Sequence, residues 1–224
     1  VAREILKEED ATPPDPLEIV TTLRDIGEVE VKPWPEPMTD EAFYGLAGEV
    51  ISAIEPYSEA DRHALLITFL TMFGNLIHRG ACYPVAADKH FTNLFVVIVG
   101  DSAKGRKGMS ANLIIQLLSK IDEPWARRIT SGLSSGEGLI YAVRDPVYAR
   151  QPIKERGRTV DYEEVMTDGG VPDKRLIVLE AEFAQALRVM GRQGNTLSPV
   201  IRQAWDKGTL NTLIKNNQNR ATDA

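Results

Sequence analysis

The stretch Leu94–Ser110, LFVVIVGDSAKGRKGMS, decides how the chain is read. Six apolar residues, β-branched and aromatic among them, run into Gly100. Such an unbroken run predicts a central strand of a parallel sheet, buried on both faces. A short basic loop with glycines follows, and MSANLIIQLLSKI after it has Leu113, Ile114, Leu117, Leu118 and Ile121 at helical spacing. Strand, glycine loop and helix in this order form a cradle for phosphate. Glycine lets the backbone curl so that its N–H groups point inward, and the helix N-terminus adds its dipole. The pattern G-x-x-x-x-G-K-[ST] is met only approximately: Gly100 and Gly105 are in register, Arg106 takes the lysine place, and Lys107 comes one residue late. A one-residue bulge would bring Lys107 to the phosphates. Without it Arg106 would stand there, and a guanidinium replaces an ammonium poorly in a tight cradle. The other reading is a plain basic turn between strand and helix.

The candidate nucleotide-binding residues are therefore Gly100, Asp101, Ser102, Ala103, Lys104, Gly105, Arg106, Lys107, Gly108, Met109 and Ser110. Lys107 would carry the catalytic positive charge, and Ser110 would offer a hydroxyl to Mg²⁺. A second apolar run, LIVLEAEF, ends in two acids. A carboxylate at a strand end near such a loop reaches Mg²⁺, and a neighbouring acid orients the attacking water. Glu180 is assigned to the metal and Glu182 to the water, with the reverse assignment also open; Ala181 separates them. The same acids also suit a helix N-terminus, where they gain a modest dipole interaction. Arg188, Arg192 and Arg202 follow; Arg202 is the candidate for an arginine finger on the γ-phosphate, and all three equally suit solvent or nucleic-acid phosphates.

Around this centre, residues 1–38 read as a leader: EEDATPPDP and VKPWPEP break any helix. Residues 39–90 read as a small helical subdomain. Phe43, Leu46, Ala47, Val50, Ile51 and Ile54 form one stripe after Thr39, and Pro56 ends it. A second helix starts at Ser58 with Asp61 three residues on, and it is apolar on most sides. His63 and His78 have no metal-ligand spacing around them. Residues 91–224 read as the α/β core. Within it, WARRITSG suits a short strand, Ser134 or Ser135 caps a helix, and TLNTLIK suits a strand or hairpin arm. The stretch 146–174 is poor in apolar residues and is predicted to be an insertion or mobile loop.

With 224 residues, 43% hydrophobic and 26% charged, the chain suits an ordinary globular fold of one large domain with a smaller one. A formal net charge of −6 excludes a surface that is basic throughout, so nucleic acid would have to be met by local patches. One cysteine, Cys82, excludes an internal disulfide. The start, VAREILKEED, has no apolar core and no initiator methionine, and ALLITFLTMF is half of a membrane span. A trimmed, cytoplasmic protein with no membrane contact is expected.

The segments GDSAKGRKGMS, TSGLSSGEGLIYAVRD, LIVLEAEFAQAL and GRQGNTLSPVIRQAWDKGTLNTLIKNNQNRAT together resemble a family of P-loop proteins of prophages, plasmids and other mobile elements. The resemblance runs from about Thr39 to the end. It implies a RecA-like three-layer core with a parallel sheet, a helicase-like ATPase role in DNA replication, ATP and Mg²⁺ as cofactors, and a neighbouring primase-polymerase module. In that family a loop ending in Arg-Lys-Gly is usual, which makes the late lysine a family feature. The matching residues are Gly100, Arg106, Lys107, Gly108, Ser110, Glu180, Glu182, Asn195, Arg202 and Asp206. Met109 departs from the threonine common there, which leaves Ser110 as the main hydroxyl. The family continues with a further apolar strand, so the chain is expected to be truncated at its C-terminus, with weak nucleotide binding or no turnover. Homo-oligomers are expected from the resemblance, as is DNA, single-stranded, as partner. Two rivals stand beside this reading: a non-catalytic nucleotide-binding or assembly module of a replication or defence complex, and a phosphoryl-transfer enzyme with 146–174 as its lid.

Overall fold

The computed structural model describes residues 36, 38–100, 107–213 and 219–224, with Lys107 through its backbone alone. Val1–Thr39 separates from Asp40–Ala224 as a unit of its own, and the fold below is that of the second unit. It is mixed α/β, with seven α-helices and four two-stranded sheets among the described residues.

The first half is helical. After a 3₁₀ turn at Asp40–Ala42, helix α1 spans Gly45–Ile54. Pro56 then sits in the 3₁₀ turn Glu55–Tyr57 and, lacking an N–H, cannot continue α1. Helix α2 spans Arg62–Leu76, and its N-cap is Asp61, not Ser58. The Asp61 carboxylate accepts from the N–H groups of His63 and Ala64, both at 2.9 Å, which satisfies two donors the helix leaves open. Ser58 instead accepts from Ala60 N–H at 3.0 Å. A hairpin of β1 (Cys82–Val85) and β2 (Asp88–Phe91) follows.

Helix α3 spans Lys107–Ser119 and α4 spans Glu123–Ala126. Their apolar faces meet those of α1 and α2 in the first core, where Ile51, Leu65, Leu66, Phe69, Ile114, Leu118 and Trp125 are buried. Each such side chain removed from water stabilises the fold by about 1.5–3 kcal/mol. Strand β3 (Ile129–Thr130) pairs in parallel with β6 (Ile177–Val178), and Ile129 and Ile177 pack on this core. Helix α5 (Gly136–Ala142), α6 (Phe183–Met190) and α7 (Leu197–Asp206) complete the helices. A second core joins α5 and α7 to the short antiparallel pair β7 (Leu210–Asn211) and β8 (Arg220–Ala221) through Ile140, Val143, Val200, Leu210 and Ala221.

Two sequence expectations are corrected. Leu94–Val99, predicted as a buried central strand, pairs in no ladder among the described residues, and its side chains are largely exposed, Val99 at 85%. A buried central strand needs a ladder on each edge. Here β3 and β6 pair with each other, and the run leans on α7: Asn93 donates to the Trp205 carbonyl at 3.2 Å, and the Phe95 ring meets Trp205 edge-on at 5.3 Å. The multi-stranded parallel sheet is correspondingly reduced to the β3–β6 pair among the described residues.

The second correction concerns 146–174. Most of it forms an antiparallel ribbon, β4 (Val147–Glu155) with β5 (Arg158–Asp168), whose register shifts between Val147 and Tyr148 and between Ile153 and Lys154. The two-residue connection Arg156–Gly157 takes φ of 46° and 82°. Positive φ at both positions is the geometry that matches the twist of paired strands, and glycine supplies the second at no steric cost.

Candidate functional site

The parallel pair sets the site. Ligands in α/β folds bind beyond the carboxyl ends of parallel strands. Beyond β3 lies the turn Ser131–Ser135, and beyond β6 lie Leu179 and Glu180. One carboxylate oxygen of Glu180, Oε1, accepts from the backbone N–H of Gly132 and of Leu133, both at 2.6 Å. This bracket ties the two strand ends together and leaves Oε2 outside those bonds. Ser135 caps α5 by accepting from Gly138 N–H at 3.0 Å, one of the two caps expected. Asn195 braces the same turn: its Nδ2 donates to the Ser134 carbonyl at 3.0 Å, while its Oδ1 accepts from Leu197 N–H at the start of α7.

Glu182 is exposed and stands at the N-cap of α6 without a side-chain capping bond. Arg188 on α6, Arg192 beyond it, and Arg202 and Asp206 on α7 are all exposed. Of the sequence candidates, Glu180 and Asn195 therefore meet on the same turn, and Arg202 is not tied to them by any hydrogen bond or ion pair.

Only the edges of the glycine-lysine loop fall among the described residues. Gly100 is exposed, and Asp101, Ser102, Ala103, Lys104, Gly105 and Arg106 lie outside the described residues, as does the side chain of Lys107. Lys107 begins α3, so the helix starts directly after the glycine-lysine segment. On its first turn Gly108 and Met109 are exposed, and the Met109 sulfur lies 4.0 Å from the Ser58 hydroxyl. Ser110 is fully buried, which turns its hydroxyl away from solvent.

The direction of α3 follows from contacts at both its ends. Its first turn meets Ser58, ahead of α2, and its last leads to α4, whose Trp125 donates its indole N–H to Asn75 Oδ1 at 2.9 Å near the end of α2. Helices α2 and α3 thus start together and end together. Both end where β6 begins: Asn75 Nδ2 donates to the Leu176 carbonyl at 3.1 Å, and Arg175 donates to the Leu76 carbonyl and to Asp122 Oδ2 at 2.5 Å. Arg175 also holds Asp173 at 2.9 Å. Hydrogen bonds from the guanidinium pull both carboxyls below their usual range and push the arginine up. This knot, which the sequence does not single out, fixes the entry of β6 and hence the height of Glu180.

Among the described residues no three His, Cys, Asp or Glu side chains gather as a cage for a metal ion. Among them too, no helix is long and apolar enough to cross a membrane. Comparison of the chain with protein-family models, with curated proteins and with solved structures returns no match.

Proposed function

We propose that this is a P-loop, RecA-like nucleotide-binding domain that binds ATP with Mg²⁺ and hydrolyses it in a helicase-like role on DNA. The observation that carries the reading is the pairing of a helix that begins at Lys107, directly after the glycine-lysine loop, with Glu180 at the end of a parallel strand. Helix α3 ends at the side where β6 begins. Its thirteen residues are about 20 Å long, and the reading sets its start on the side of Glu180. In that arrangement the N-terminal end of the α3 dipole would face phosphate, and Lys107 would supply the cation.

Glu180 would provide a hard oxygen donor of the kind that Mg²⁺ takes. A bound Mg²⁺ would neutralise charge on the β- and γ-phosphates. Glu180 Oε1 stays on the Gly132–Leu133 amides and fixes the turn, so Oε2 is the atom offered to the ion. Glu182, with no capping bond, is free to orient water. Arg202 would complete the charge at the γ-phosphate from a neighbouring copy in an oligomer.

One observation favours the non-catalytic rival. Ser110, the hydroxyl expected on Mg²⁺, is fully buried rather than open to solvent. Calorimetric titration with a non-hydrolysable ATP analogue, set beside a turnover assay, separates the two. Binding with turnover supports the ATPase, binding without turnover supports the rival, and no binding removes both.

A further inference from the structure

We propose that the β4–β5 hairpin is an arm that grips single-stranded nucleic acid, its tip cations on phosphates and its Tyr148–Tyr162 face under the bases. Nine residues of β4 at about 3.3 Å each make an arm of about 30 Å. Almost every side chain on it is exposed, and only its base is held. There Arg144 grips Asp168 through two bonds of 2.7 and 3.1 Å. Lys174 binds Asp145 at 2.8 Å, and Asp145 in turn accepts from the Thr222 hydroxyl at 2.9 Å. A two-stranded ribbon without a packed face contributes little to stability, so twenty residues spent this way call for a partner.

The two faces differ in kind. Register places Tyr148 opposite Met166, Arg150 opposite Glu164, and Pro152 opposite Tyr162, all on one face. Tyr148, Tyr162 and Met166 are each more than half exposed there, and the charges between them balance. The opposite face sets Glu163 and Asp161 against Gln151 and Ile153, which repels phosphate. At the tip, Lys154, Arg156 and Arg158 stand against one acid, Glu155, in a chain of net charge −6. Clustered cations beside exposed, well-separated aromatic rings are what an unpaired strand needs: backbone charge is met, and each base finds a π-face regardless of sequence.

This inference rests on the proposed function only in taking DNA as the partner, and it is measured without nucleotide so that the two can fail separately. The probe is a fluorescent single-stranded oligonucleotide of about 15 nucleotides, titrated at several salt concentrations. The full chain is expected to bind it. Replacing Lys154, Arg156 and Arg158 together by alanine should weaken binding about tenfold or more and shrink the salt slope by about 2, at about 0.7 per lost phosphate contact. Tyr162→Ala should weaken it about fivefold or more while Tyr162→Phe keeps the parent affinity, because stacking needs the ring alone. Absence of binding by the parent overturns the proposal, as does a triple variant with the parent's affinity and slope. Sedimentation supplies the other arm: if Tyr162→Ala abolishes self-association and leaves oligonucleotide binding intact, the hairpin joins copies of the chain and the proposal falls.

Discussion

Trp125 donates its indole N–H to Asn75 at 2.9 Å, and this bond locks the end of α2 to the start of the parallel pair. Trp125 is fully buried, and its ring fills the first core beside Leu118 and Ile114. Trp125→Ala should cost about 3–5 kcal/mol. Asn75→Leu should cost less, about 1–3 kcal/mol, by leaving the buried indole N–H without an acceptor. Urea unfolding followed by far-UV circular dichroism measures both.

Arg175 ties two carboxyls to the stability of the chain in acid. Its bonds hold Asp122 and Asp173 below the ordinary carboxylate range. A carboxyl whose pKa is lower folded than unfolded contributes stability above its unfolded pKa, near 3.9, and loses it as pH falls through the folded value. The parent should therefore hold its Tm from pH 7 to about pH 4 as far as these two groups decide it, and lose it steeply below. Arg175→Met should start lower at pH 7 and fall less over the acid range. Thermal melts at stepped pH give the comparison.

Gly136 lets α5 touch α7. A Cβ built there would lie 2.6 Å from the Thr196 carbonyl oxygen and 2.7 Å from a Val200 methyl. Both atoms belong to well-packed structure, so Gly136→Ala must force the helices apart. A loss of about 1–3 kcal/mol is expected, read as a lower urea midpoint with unchanged slope.

Glu180 is assigned two tasks that substitution can separate. A glutamine keeps a carbonyl oxygen for the Gly132 and Leu133 amides but loses the charge. Glu180→Gln should cost only about 1 kcal/mol of stability, as a charged bond becomes a neutral one. Its effect on ATP turnover should be far larger, about a hundredfold. Glu180→Ala should lower both. Equal turnover in the parent and Glu180→Gln would confine this residue to holding the turn.

Local chemistry was legible in the sequence and pairing was not. Pro56, the Ser135 cap and the apolar stripes of α1 and α3 follow from backbone rules that act within a few residues. Leu176–Leu179 reads as a strand and its centre, Ile177–Val178, pairs as β6. Leu94–Val99 has the same composition but no ladder among the described residues, because pairing depends on what stands alongside and composition does not specify that. The hairpin is hard to read from sequence because its strands carry charges on both faces, which blurs the alternation a half-buried strand shows; its one local signal is Arg156–Gly157 at the turn. At the site, Glu180 was legible from its strand end, whereas its hold on Gly132 and Leu133, 48 and 47 residues away, needs the fold.

The most direct test is steady-state ATP hydrolysis with Mg²⁺ by the parent and by Lys107→Ala, at equal concentrations and with matched thermal melts. If Lys107 is the cation of a phosphate cradle at the head of α3, the parent turns over ATP above background and the variant loses about a hundredfold or more. Equal rates in the two proteins, at background or above it, would contradict the ATPase reading.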